Sequence, residues 1–362
     1  MAVTLATLAL APSAPAKLLK GFWGPTRLNG VSQFGRYNDL RVDVYQMHLA
    51  WSSIAATRPS NPRDPHDPAY RWPSDVSYAT RQAKHHHIRV LLLIQSSPGW
   101  ANGGRSSRWA PKHSKDYADF AYAASKKYPG VHLWMVWGEP SRAANFQPLT
   151  PQSDSSAHRG ERLSKKQARG PRTYARILDA AYGALKSANR KNLVVGGDTF
   201  SWGDIRPVQF VKNMRFGRKN RRPRLDLYGH NPFTNRKPNL ANGPFCGSRK
   251  AGCADFSDLD WFSRIVDRNL GTSHHSHIPL FLSEFTIPTE PNDSEFPYYV
   301  SPPTQADWIR AGFRVARAVG AYALGWVHLQ DEPPSGSRKT VSGGLLYYNG
   351  NKKPGYRAFK KG

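Results

Sequence analysis

A chain of 362 residues with 39% hydrophobic and 12% aromatic side chains can build a large packed core, which excludes global disorder. Its 52 Lys and Arg against 25 Asp and Glu leave a formal net charge of +27. That balance favours solubility and attraction to nucleic acid, acidic glycans or anionic cell surfaces, and it says nothing about fold.

The N-terminus, "MAVTLATLALAPSAPAK", is apolar and Ala-rich and ends in Ala14-Pro15-Ala16. It resembles the hydrophobic region and A-x-A cleavage site of a secretory signal, although a positive n-region is missing. Residues 1–16 are therefore expected to be a signal-peptide remnant and 17–362 a single domain, secreted to the cell exterior. No other stretch is apolar and long enough to span a membrane. Strand-like segments follow at "KGFWGP", "VDVYQMHLAW", "IRVLLLIQSS" and "VHLWMVWGEP", then "NLVVGGDTF", "LDLYGHNPF", "IPLFLSEFTI" and "AYALGWVHLQ". Helical patterns alternate with them: "DVSYATRQAKHH", "SKDYADFAYAASKKY", "PRTYARILDAAYGALKSA", "RPVQFVKNM", "DLDWFSRIVDRNL" and "TQADWIRAGFRVARAVG". "GVSQFGRYNDL", weakly periodic, must serve as the first helix.

Several strands are nearly continuous apolar runs, as expected when both faces of a parallel sheet are buried. Eight strands alternating with helices predict a single α/β domain, a (β/α)8 TIM barrel. Segments entering the strands are short ("YPG", "NRKN", "AVG"), whereas those leaving the fourth, sixth, seventh and eighth are long. An active-site face at the C-terminal strand ends would produce that asymmetry.

Two carboxylates stand at matching positions. Glu139 ends the fourth strand in "WGEP" and Glu284 ends the seventh in "LSEF". In a closed eight-strand barrel these ends roughly face each other across the mouth. Two carboxylates about 5 Å apart are the equipment of retaining glycoside hydrolysis, one as nucleophile and one as acid and then base. The acid needs a raised pKa, which a desolvating aromatic such as Trp137 would help supply. This chemistry needs no metal and no organic cofactor.

The two motifs resemble those of clan A retaining glycoside hydrolases, the neighbourhood of families 5 and 39. The resemblance implies that Glu139 is the acid/base and Glu284 the nucleophile. In weaker form it extends over most of the chain. "SSPGWAN" resembles a Pro-x-Trp element at Pro98 and Trp100. "YGHNPF" puts His230 where the clan often orients its nucleophile, and Trp326 matches the aromatic floor of the sugar subsite. Gly138 departs from the pattern, because the clan commonly has there an Asn that hydrogen-bonds the sugar 2-hydroxyl. The departure predicts a sugar with an axial or substituted 2-position, or a furanose. β-Linked glycans and pentosides are the broad substrate candidates.

Further substrate contacts are read at Trp51, Trp137, Asp198 and Tyr298. Trp51 and Trp137 could equally fill the barrel's upper layer, and Asp198 could cap a loop. Tyr298, with Phe296 and Tyr299 in "EFPYYV", could stack on sugar rings or pack its own loop. Glu332 in "QDEPP" reads as a turn residue. The histidines at 85–87 are consecutive on a helix and do not converge as metal ligands should, and those at 274, 275 and 277 precede the seventh strand, on the barrel floor. Cys246 and Cys253, with six residues between them, suit a small disulfide loop in a secreted protein.

Basic peaks occur in "GERLSKKQARGPR" and "RFGRKNRRPR". They read as solvated surface or as a face for an acidic glycan or cell surface. No RNA-binding aromatic signature or zinc-finger spacing accompanies them, which argues against nucleic acid. The alternative to a glycoside hydrolase is a non-catalytic carbohydrate-binding barrel, in which Gly138 marks lost chemistry and the basic surface holds an acidic glycan.

Overall fold

The computed structural model describes residues 17–273 and 275–362. The expected signal-peptide remnant and His274 lie outside that range. Eight parallel strands close into one barrel: β1 (Leu19–Trp23), β2 (Val44–Ala50), β3 (Arg89–Gln95), β4 (Leu133–Val136), β5 (Leu193–Phe200), β6 (Leu227–Asn231), β7 (Leu280–Leu282) and β8 (Ala323–Val327). Each pairs with its sequence neighbours, and β8 returns to β1 with Leu19 opposite Ala323 and Trp23 opposite Val327. This is the (β/α)8 barrel expected from the alternation.

One principal helix follows each strand: α1 (Phe34–Asp39), α2 (Ser74–His85), α3 (Ser114–Lys127), α4 (Lys165–Ala188), α5 (Pro207–Asn213), α6 (Leu259–Leu270), α7 (Pro302–Ala318) and α8 (Pro354–Lys361). A two-residue hairpin, Arg27–Leu28 with Val31–Ser32, precedes α1. α4 starts six residues before its expected Pro171. A capping box fixes that start: Ser164 Oγ accepts from the Gln167 N–H, and the Gln167 side chain accepts from the Ser164 N–H.

Strand alternation sorts the core into two layers. Leu19, Val44, Leu91, Leu133, Val195 and Leu227 fill the barrel interior, while the opposite faces pack against the helices. Glycines on β1 and β8 leave room for one long polar side chain inside. A Cβ on Gly325 would collide with the Ser283 carbonyl, and one on Gly21 would stand 3.1 Å from Gln46 Nε2. Gln46 from β2 uses that space: its Nε2 donates to Ser283 O at 2.9 Å. A bond across the barrel thus holds the residue next to Glu284.

Cys246 and Cys253 form a disulfide in the long segment after β6. The segments after β7 and β8 are tied by a buried ion pair, in which Lys353 Nζ lies 2.6 Å from Asp331 and also donates to Thr289 Oγ1 and Ser342 O. No described helix is long and apolar enough to cross a membrane.

Candidate active site

β4 ends at Val136, and the chain then turns sharply. Trp137 and Glu139 both take left-handed backbone angles, φ 62° and 44°, which non-glycine residues rarely adopt. Three contacts hold the turn. Trp137 N–H donates to Ile94 O at 2.9 Å, and Trp137 Nε1 donates to Asn145 O at 2.9 Å. Glu139 N–H donates to Asp198 Oδ2 at 3.3 Å. The carboxylate of Glu139 is almost buried and accepts three hydrogen bonds: Asn231 Nδ2 to Oε1 at 3.1 Å, with Arg142 Nη1 at 2.8 Å and Asn145 Nδ2 at 2.9 Å on Oε2.

Asp198 is aimed inward by a bulge. The β5–β6 register shifts between Gly196 and Thr199, Gly197 takes φ 93°, and a Cβ there would overlap the Tyr228 ring. Asp198 is fully buried and its Oδ1 has no partner. Burial first, and then the charge of Glu139, raise its pKa to about 8, against the pull of the Glu139 N–H and Ser283.

Glu284 follows Ser283 at the end of β7. It is partly open to solvent, and among the described residues no hydrogen bond reaches its carboxylate. Desolvation, followed by the charges of Glu139, Asp198 and Glu295, pushes its pKa well above the ordinary range, opposed by Arg142. Glu139, Asp198 and Glu284 therefore lie within electrostatic reach of one another. The upward shift expected of a desolvated acid is found at Glu284.

The ends of β2, β3 and β8 complete the mouth with residues that carry no sequence motif. Gln95 Nε2 lies 2.8 Å from His48 Nδ1, and His48 packs on Trp23 with ring centroids 4.8 Å apart. His328, in a left-handed turn at φ 76°, meets Glu295 at 2.9 Å. A Cβ on Gly138 would stand 3.2 Å from Gln95 Oε1 and 3.2 Å from Leu93 Cδ1. A side chain at 138 would thus crowd against a carboxamide and a leucine from β3. Asn231 was also missed, although alternation from Leu227 through Gly229 puts it on the inward face.

Several expected contacts lie elsewhere. His230 points outward: its Nε2 is 2.9 Å from Ala254 O, its Nδ1 is 3.0 Å from Thr199 Oγ1, and its ring packs on Phe262 of α6. Burial lowers its pKa to about 4, so it is a neutral structural histidine and does not orient Glu284. Trp326 is buried between β8 and the helices, edge-on to Phe285 at 5.4 Å, because the inward positions of β8 are Gly325 and Val327. It does not floor a subsite. Trp51 stacks on Phe120 of α3 and meets Trp100 edge-on, while Trp100 donates to Ala55 O beneath the Arg58 guanidinium. Trp137 packs against Tyr117 and Phe146 and braces the turn.

Tyr298 joins Phe200, Phe233 and Phe296 in a separate aromatic cluster, and Arg142 links it to Glu139 by lying 4.7 Å over the Phe200 ring. Glu332 sits on an exposed loop, where its N–H donates to Val341 O and its carboxylate accepts from the Val341 N–H. Among the described residues no group of three His, Cys, Asp or Glu could hold a metal.

No protein-family model and no curated protein matches the sequence. The fold does match solved structures. A family 39 glycoside hydrolase from Bacteroides cellulosilyticus WH2 aligns with TM-score 0.65 and 14% identity, covering 94% of this chain and 62% of that one. A glucosidase from Croceicoccus marinus aligns with TM-score 0.63 and 13% identity over 97% of this chain and 68% of that one. A monomeric β-xylosidase from Caulobacter crescentus CB15 gives 0.56 and 15%, over 94% and 66%. The chain spans less than two thirds of the length of the first of these proteins, and what it shares with all three is the barrel fold.

Proposed function

We propose that this protein is a retaining glycoside hydrolase acting on a polysaccharide or glycoside. The reading rests on one observation: two glutamates at the ends of β4 and β7 lie within electrostatic reach and occupy opposite environments. In the assignment that the family resemblance implies, Glu284 attacks the anomeric carbon and Glu139 protonates the leaving oxygen. Water then attacks the glycosyl-enzyme with Glu139 as base.

That cycle needs Glu284 ionised and Glu139 protonated when the bond breaks. Burial favours the protonated form of Glu284, while three donors serve the Glu139 carboxylate. Sugar hydroxyls donating to Glu284 would favour its anion, and a leaving oxygen seated against Glu139 would compete with Arg142 and Asn145 for its carboxyl. Gln95 and His48 stand on the wall where such hydroxyls would bind. The proposal extends to an oxidising location outside the cytoplasm, supported by the Cys246–Cys253 bridge.

The test is a panel of aryl glycosides and β-linked polysaccharides, with product anomers followed by NMR. Retained configuration is expected. Inverted product would overturn double displacement, and carbohydrate binding without turnover on any substrate would favour the non-catalytic barrel.

A further inference from the structure

The two basic runs of the sequence meet in space. Lys165, Arg169, Arg172 and Arg176 project from one stripe of α4, at intervals of four, three and four residues, and all are exposed. At 1.5 Å per residue the stripe is about 16 Å long. Arg215 and Arg218, from the segment after α5, face it across a groove of about 570 Å³.

Composition alone does not account for this groove. The whole chain carries about one acid for every two bases, yet no acidic side chain lines it. Among the described residues none of the six cations makes an ion pair: Arg176 reaches Thr173 Oγ1, and Arg215 reaches Met214 O and Asn269. On the other flank of α4, Arg105 and Lys112 share a smaller pocket of about 330 Å³ with Arg169 and Arg176, so the positive path runs on both sides of the helix. In a (β/α)8 barrel each helix begins at the mouth end. The Lys165 end of the stripe therefore lies toward the rim that carries Glu139.

We propose that this groove binds a carboxylated polysaccharide chain and leads it along α4 toward the barrel mouth. Guanidinium forks match planar carboxylates with two parallel hydrogen bonds, and five of the six cations are arginine. The aromatics on the path have a face covered by arginine, Phe216 by Arg221 at 4.7 Å and Trp109 by Arg105 at 4.0 Å. That leaves a poor platform for stacking nucleobases, which favours a glycan over single-stranded nucleic acid.

The experiment measures binding of the full chain to fluorescent polygalacturonate oligomers, to their methyl esters, and to DNA oligomers of equal charge, across a salt series. It needs no turnover, so its outcome is independent of the proposed hydrolysis. Expected are binding to polygalacturonate, loss on methyl esterification, and weaker binding to DNA. The triple variant Arg169→Gln/Arg172→Gln/Arg218→Gln should weaken polygalacturonate binding about tenfold or more and flatten the salt dependence by about two to three counterions. The corresponding Arg→Lys variant should retain most of the salt dependence, and unchanged thermal unfolding of both would exclude misfolding. Equal affinity for the methyl ester, or an undiminished triple variant, would overturn the proposal. Preference for DNA would replace it with a nucleic-acid surface.

Discussion

The ends of β4 and β7 present the same side chain in opposite settings. At β4 the backbone is strained into two left-handed residues, and the Glu139 carboxylate takes three donors, one of them charged. At β7, Gln46 pins Ser283 from across the barrel, and the Glu284 carboxylate next to it takes none. The difference teaches how one chemical group can fill two roles: hydrogen-bond donors stabilise the charged form, and desolvation beside like charge disfavours it. Asp198 lies between the two, held by the Glu139 N–H, its pKa raised by burial and then by the Glu139 charge.

The comparison breaks most visibly if the glutamates are replaced. Glu284→Gln should abolish turnover on every substrate. Glu139→Gln should lower kcat by about 10²–10⁴-fold, and less for aryl glycosides whose leaving group needs no proton. Equal losses on activated and unactivated substrates would show that the two ends do not differ in role.

Asp198→Asn tests the group between them through stability. Between its unfolded value near 3.8 and its folded value of about 8, native Asp198 binds the proton that the unfolded chain releases. Its contribution to stability is therefore full at low pH and is lost as pH rises through that window. The slope is at most about 1.4 kcal/mol per pH unit. Urea unfolding at several pH values should show this dependence flattened in Asp198→Asn, and an unchanged slope would mean that Asp198 is already ionised.

The smallest expected effect sharpens the contrast. Arg142 opposes the upward shift of Glu284. Attack requires the Glu284 anion, so removing the cation in Arg142→Gln should move the acid limb of kcat/KM to higher pH, by less than about one unit for a partly exposed charge. A limb that stays in place would mean that Arg142 acts on Glu139 alone.

The barrel was legible because strand and helix periodicities are local, and so were both carboxylates, each marked by a polar residue that closes an apolar run. Errors arose where a residue's direction mattered. His230 and Trp326 match site motifs, yet each lies on the outward phase of its strand, and Asn231 and Trp23, which match none, lie on the inward one. The inward neighbours of each strand carried that phase in the sequence, and counting from Leu227 would have exposed it. The wall at Gln95 and His48 carried no motif at all.

By itself, then, the sequence determined the eightfold alternation, the long segments on one face and the two acids at strand ends. These depend on neighbours within a few residues. Only the tertiary structure decided that Gln95 closes against Gly138, that Gln46 spans the barrel to Ser283, and that Glu139 is bonded while Glu284 is not. It also decided that two basic runs some fifty residues apart share one groove. Those are contacts between distant parts of the chain, set by barrel closure and by which face each strand turns inward, and no local pattern encodes them.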